Sequence, residues 1–433
     1  MGRPLRSEQV ADSEANLQMV PPTFFIDSTS PQGYHQTTTH HKGEFAMGRP
    51  LRSEQVADSE VSIVHAVQRC VRRAFLAGFD QATGKDYEYR REWIRRRMEA
   101  LASVFGVDVL SYAVMSNHMH LVLRNRPDVV IAWTDQEVAL RWLKVYPGRR
   151  IEEHLGEPTE SDVQMLVADR ERLAEVRRRL SDISWFMRSL SEPIARMANR
   201  QDECTGRFWE GRFKLQRITD EAGLLACAMY VDLNPVRAAM AESPDDSVHT
   251  SGYDRIKGDQ GQEIDSAAFD LVPITTEQAG AERRNTPVDE MREKQRAKRK
   301  NPTGRRIRRD GWLAPLTLDG STLASDAELN HDGVRASDKG FLGISLKDYV
   351  ELLRWTAKLS EEGAGRNVPP SLQGLVSRLG IDLSMWRDLV WNFQRYFGNS
   401  CCAGSPSAMS QFAESSGRKW ARGHRRVAEC FAA

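Results

Sequence analysis

The chain has 433 residues, 40% hydrophobic and 28% charged, which suits a soluble globular protein with polar connectors and predicts two or three segments rather than one core. Its 61 Lys and Arg balance 60 Asp and Glu, so net charge names no anionic partner and local clusters have to. Six scattered cysteines without a C-x-x-C pair exclude a zinc knuckle or disulfide framework. The absence of an apolar signal core or a run near the roughly 20 residues of a membrane span predicts a cytoplasmic protein with no membrane partner.

Met1–Glu14 (MGRPLRSEQVADSE) recurs identically at Met47–Glu60. Structural repeats drift in sequence and come in several copies. Two identical copies read instead as duplicated coding sequence, with Met47 as an alternative start, and residues 1–60 are expected to be disordered. The first strand is predicted over Val61–Cys70, a β-branched run. Tyr87–Phe105 carries Trp93, Ile94, Met98 and Leu101 at helical spacing. Val107–Val114 and His118–Arg124 read as strands joined by a tight turn.

Residues 127–160 read as an insertion, and Asp162–Arg200 as helix interrupted near Pro193. Thr205–Ile218 is a strand candidate, and Asp220–Leu233 a helix opened by acidic residues. The order β-α-β-β-α-β-α predicts an α+β fold, a small ferredoxin-like antiparallel sheet with helices on one face. The domain reading is 1–60 as a duplicated segment, 61–257 as a catalytic domain, 258–330 as a polar and basic linker, and 331–433 as a separate helical module. Within the linker Arg292 to Arg309 is rich in basic residues and reads as a solvated connector or a nucleic-acid tether. Leu372–Leu379 and Leu383–Phe397 have the outline of a helix-turn-helix, or of an ordinary hairpin with Met385, Trp386, Leu389 and Phe393 as local core.

Alternation in the third strand puts His118, His120, Val122 and Arg124 on one face and Met119, Leu121 and Leu123 on the other. Two imidazoles about 7 Å apart along a strand can converge on one divalent ion, although H-x-H also arises by chance. Tyr230 falls opposite Leu224, Ala228 and Val231 on its helix, beside Gly223, Ala226 and Asn234. Core packing is one reading. The other is a nucleophile over small residues that leave room for a substrate, attacking a phosphodiester whose phosphate a metal polarises. Asn234 lies one turn on; it either shares that site or caps the next turn ahead of Pro235. Trp209, Phe213 and Leu215 alternate with Glu210, Arg212, Lys214 and Gln216. The second set is either a solvated face or a phosphate-binding one, and Arg124 and Arg126 belong to the same question.

Four stretches in order, His65–Phe75, Tyr112–Leu123, Arg207–Lys214 and Tyr230–Arg237, resemble the REP-associated tyrosine transposases, of the HUH single-tyrosine superfamily. The resemblance covers about Ser62 to Tyr253. It implies a Mg²⁺ or Mn²⁺ ion on His118 and His120, with Asn234 at the position of a further metal ligand. It also implies that Tyr230 cuts single-stranded DNA at hairpin repeats through a 5′-phosphotyrosyl link, and that the protein acts as a homodimer. Arg124, Arg126, Arg207, Arg212, Lys214 and Arg237 are the expected DNA-binding residues. The alternatives are a domesticated, non-catalytic hairpin-binding regulator and a metal-dependent phosphoesterase that uses water.

Overall fold

The computed structural model describes residues 56, 59–71, 76–80, 84–147, 158–268, 305–318, 328–358 and 369–431. The first copy of the repeat and the expected disorder of 1–60 lie outside these, apart from residues 56, 59 and 60. Strand β1 (Ser62–Arg69) leads to helix α1 (Tyr89–Ala102), then to β2 (Val107–Val114) and β3 (His118–Asn125). The β2–β3 hairpin closes where the Met115 amide donates to the His118 carbonyl at 2.8 Å. Helix α2 (Ile183–Gln201) precedes β4 (Lys214–Ile218), helix α3 (Glu221–Asp232) and the short α4 (Asn234–Arg237). Downstream come α5 (Ser251–Asp259), α6 (Leu346–Lys358), α7 (Leu383–Trp391), α8 (Phe393–Phe397) and β5 (Cys402–Ala403).

The strand order is β2-β3-β1-β4-β5. All neighbours are antiparallel except β4 and β5, which pair in parallel through Arg217–Cys402 and Ile218–Ala403. An α+β fold is therefore present. The sheet is covered on both faces, not one. Val64, Ala66, Met119, Leu121 and Leu123 pack with Ile94, Met98 and Leu101 of α1 and Phe186 and Leu190 of α2. Ala113, Val122 and Ile218 pack on the opposite side with α3 and with Trp386, Leu389 and Phe393 of the tail.

Residues expected as a separate C-terminal module thus supply a strand and a layer, and Pro50–Ala433 forms one compact unit. The reason is that β4 offers an open edge and α3 an apolar outer side, and both gain from being covered. The expected linker also contributes to the core, since Trp312 is fully buried with its ring 5.3 Å from that of Tyr112.

Other boundaries differ for local reasons. Helix α2 runs through Pro193 without a break. The amide that proline lacks would have met the Ser189 carbonyl, which instead accepts from the Arg97 guanidinium at 3.1 and 3.2 Å. The breaks fall at Asp169 and Asp182, whose side chains cap the helices that follow. The fourth strand is only Lys214–Ile218, because Gly206 takes a left-handed φ of 104° and the Trp209 indole is tied to the Ser191 carbonyl at 2.8 Å.

Candidate active site

The cross-strand register assembles the site. Val67 of β1 lies between His120 of β3 and Lys214 of β4, and His65 lies between Val122 and Gln216. Partners in such rows share a face, so His65, His120 and Gln216 all project to the side covered by α3. His118 is half-buried at the start of β3, and its ring centroid is 4.8 Å from that of His120. Two residues further along the opposite strand, His65 Nε2 meets His120 Nδ1 at 2.9 Å with the rings stacked.

Tyr230 reaches this cluster from α3. Its ring lies edge-on to His120 at 5.5 Å and to His65 at 6.1 Å. Arg237 from α4 holds its guanidinium 4.7 Å above the same ring and donates to Asn234 Oδ1 at 3.2 Å. The fold therefore brings Tyr230, His118, His120, Asn234 and Arg237 together.

Room for a substrate is not present in this conformation. Tyr230 is 4% exposed, stacked on Phe393 at 4.9 Å, and its hydroxyl accepts from Gln394 Nε2 at 3.3 Å. Every residue of α3 after Glu221 is buried. Over Gly223, a Cβ would stand 2.6 Å from the Ala403 carbonyl oxygen. The small residues that suggested open space instead admit the tail.

Burial, followed by the Gln216 hydrogen bond that opposes it and the charge of His118 that assists it, leaves His65 at about 4. Burial, then the Arg69 guanidinium, holds His118 at about 4. His120 is pushed well below the ordinary imidazole range by burial, with His65, His118 and Arg237 adding to it. All three are neutral imidazoles at pH 7, the form that ligates metal.

Among the described residues no group of three or more His, Cys, Asp and Glu is placed to hold a metal. A divalent ion would rest on two imidazoles. His120 Nε2 is buried with no hydrogen-bond partner, and His118 Nδ1 is engaged with Asn117 Oδ1 at 2.6 Å, which leaves its Nε2 for a ligand. These two fit. Asn234 as a further ligand does not fit in this conformation: its oxygen faces Arg237, and its unpartnered atom is the buried Nδ2, a donor.

The expected DNA contacts divide. Arg207, Arg212 and Lys214 are exposed. Arg124 and Arg126 are 5% and 1% exposed and belong to the interior. Arg124 pairs with Asp108 at 2.7 Å and donates to the Lys339 and Gly340 carbonyls; Arg126 pairs with Asp108 and Asp128 and donates to Ser337. They are structural ion pairs at the opposite end of β3. In the basic run, Arg305, Arg306, Arg308 and Arg309 are paired with Asp332, Glu263, Asp310 and Asp254, while 292–300 lie outside the described residues. Sequence reading did not single out His65, Gln216, Phe393 or Gln394 as site residues. The available signals were the alternation that put Gln216 on the face of Lys214 and the place of His65 at the head of the first of the four family-like stretches.

The chain matches no protein-family model, and no curated protein matches it. A solved structure described as a REP-associated tyrosine transposase bound to a REP hairpin is similar at 11% identity, over 45% of this chain and 79% of that one, with a TM-score of 0.27. No helix among the described residues is long and apolar enough to cross a membrane.

Proposed function

We propose that this chain is a single-tyrosine DNA transesterase that cuts single-stranded DNA at hairpin-forming repeats, with Tyr230 as nucleophile. The observation that carries the reading is the meeting of one phenol with a pair of neutral imidazoles, one of which has an unpartnered buried nitrogen. The strand order agrees with a ferredoxin-like frame, in which the second strand lies outermost and the first is central. The resemblance of the four sequence stretches supplies the substrate class.

In the reaction, Tyr230 Oη forms a bond to the scissile phosphorus while the P–O3′ bond breaks. The phenol loses its proton and the departing 3′ oxygen gains one, leaving a 5′-phosphotyrosyl strand and a free 3′-OH. Arg237 holds the tyrosine ring from above, and the Asn234 amide NH₂, unpartnered in this conformation, would donate to a phosphate oxygen. Arg212 and Lys214, exposed beside this row, would hold flanking phosphates. A Mg²⁺ or Mn²⁺ ion bound by His118 and His120 supplies neutralisation of phosphate charge.

The test is incubation of the full chain with a hairpin oligonucleotide and Mg²⁺ or Mn²⁺. A covalent protein–DNA adduct is expected from wild type and none from Tyr230→Phe. Cleavage by the variant at the wild-type rate would remove the tyrosine mechanism. A second reading, a hairpin-binding regulator without turnover, is favoured by the closure of Phe393 over Tyr230; it predicts tight binding and no adduct with either metal.

A further inference from the structure

We infer that His65 is a positioning residue: with Gln216 it fixes the tautomer of His120, so that the Nε2 lone pair of His120 faces the site. Gln216 is a buried side chain in β4. Its amide nitrogen donates to two main-chain carbonyls of the tail, Phe397 O at 2.6 Å and Ser400 O at 3.0 Å. Carbonyl oxygens only accept, so the orientation of the amide is settled by its partners and Oε1 is left for His65.

Gln216 stands directly across the β1–β4 register from His65, with both side chains buried on the same face, and it bears on the imidazole in the sense that favours a proton there. The Nε2 of His65 is already opposite His120, so the nitrogen facing Gln216 is Nδ1, and it carries the hydrogen. A neutral imidazole has one N–H, which makes His65 Nε2 an acceptor. Across the 2.9 Å contact the donor must then be His120 Nδ1–H. The single hydrogen of His120 is thereby spent, and its Nε2 is a bare lone pair.

That nitrogen is the buried atom without a partner. The opposite tautomer would place an N–H there with nothing to receive it, and two bare nitrogens would face each other at the His65–His120 contact. Both arrangements cost free energy in a buried site. His118 is set the same way by an independent partner, the Asn117 amide oxygen on its Nδ1. The two imidazoles thus present equivalent nitrogens, one oriented locally and the other through a relay that ends in the tail. His65 touches no substrate in this scheme; it acts through His120, as the outer partner of a ligating histidine does.

The inference rests on the proposed reading for its purpose but not for its test. In the full chain labelled with ¹⁵N-histidine and free of metal, long-range proton–nitrogen correlation reads each tautomer, the His120 signals being those lost in His120→Asn. A protonated Nδ1 and pyridine-like Nε2 are expected; the reverse overturns the relay, even if adduct still forms. Mn²⁺ titration followed by electron paramagnetic resonance gives the second readout. His65→Leu removes the acceptor and is expected to weaken binding by about 10–100-fold, whereas His65→Gln keeps a side-chain oxygen and is expected to recover most of it. Equal loss in the two folded variants would reduce His65 to packing and overturn the relay. If wild type binds no Mn²⁺ but His120 is protonated at Nδ1, the relay stands and the metal-assisted reading falls.

Discussion

Asp108 is buried beneath two guanidiniums and the Ser337 hydroxyl, which donates to its carboxylate at 2.9 and 3.0 Å. Removing one cation from such a group leaves charge unpaired in a dry site, at a cost of about 3–5 kcal/mol. Arg126→Ala is therefore expected to lower unfolding free energy in urea by about that much, while the folded fraction keeps the salt dependence of hairpin binding. Arg212→Ala and Lys214→Ala should do the converse. Each should leave stability within about 0.5 kcal/mol and reduce the slope of log affinity against log salt by about 1. A flattened slope in Arg126→Ala would return that residue to the DNA surface. The sequence separates the two groups poorly because alternation assigns a strand face without saying whether anything lies on it. The residues that cover Arg124 and Arg126 are Ser337, Lys339 and Gly340, more than 200 positions away. The histidine pair was legible for the opposite reason: both residues sit in one strand, and strand geometry alone brings them together.

At the scale of elements, α3 is held by what surrounds it. Its last residue, Asp232, accepts from the Ser251 hydroxyl, the Gly252 amide at 2.8 Å and the Tyr349 hydroxyl at 2.6 Å, tying α3 to α5 and α6. Burial nonetheless raises its pKa above the usual 3.8, the hydrogen bonds only opposing that rise. The folded chain then holds this proton to higher pH than the unfolded chain does, so the contribution is full below about 3.8 and lost as pH climbs through the raised folded value. Asp232→Asn lacks that loss. Its stability relative to wild type should improve across this window, and a difference constant from about pH 3 to pH 7 would contradict the raised pKa. On the other side of the helix Phe393 closes over the phenol. Phe393→Ala is expected to cost about 3–5 kcal/mol and to speed both nitration of Tyr230 and adduct formation per folded molecule. Unchanged rates would mean that the tail does not control access. Helical periodicity put Tyr230 opposite Leu224, Ala228 and Val231 and left open whether the side lined with small residues is packed or free. Here the small residues are what allow Ala403 and Gly404 to pack against Gly223.

For the whole molecule, the question is whether the tail is an accessory or part of the fold. Tyr230, Ala226 and Leu225 share one apolar cluster with Trp386, Leu389, Phe393 and Phe397, and β5 covers the edge of β4. A chain ending at residue 268 would expose that cluster and leave β4 as an unpaired edge, the combination that favours association over folding. It would also take away the Phe397 and Ser400 carbonyls that orient Gln216, and with them the ordering of His65 and His120. The full chain should therefore lose tryptophan fluorescence and far-ultraviolet circular dichroism in one coincident urea transition, and the fragment 59–268 should bind a hydrophobic dye and unfold without cooperativity. A fragment that unfolded cooperatively at the midpoint of the full chain would restore the separate module expected beyond the polar and basic stretch of 258–330. The sequence could not decide this, because a polar stretch reads the same whether the helices beyond it swing free or fold back on the sheet. What decides it is the match between surfaces: an apolar helix side and a bare strand edge on one part, and a short strand and the buried aromatics Trp386, Phe393, Tyr396 and Phe397 on the other.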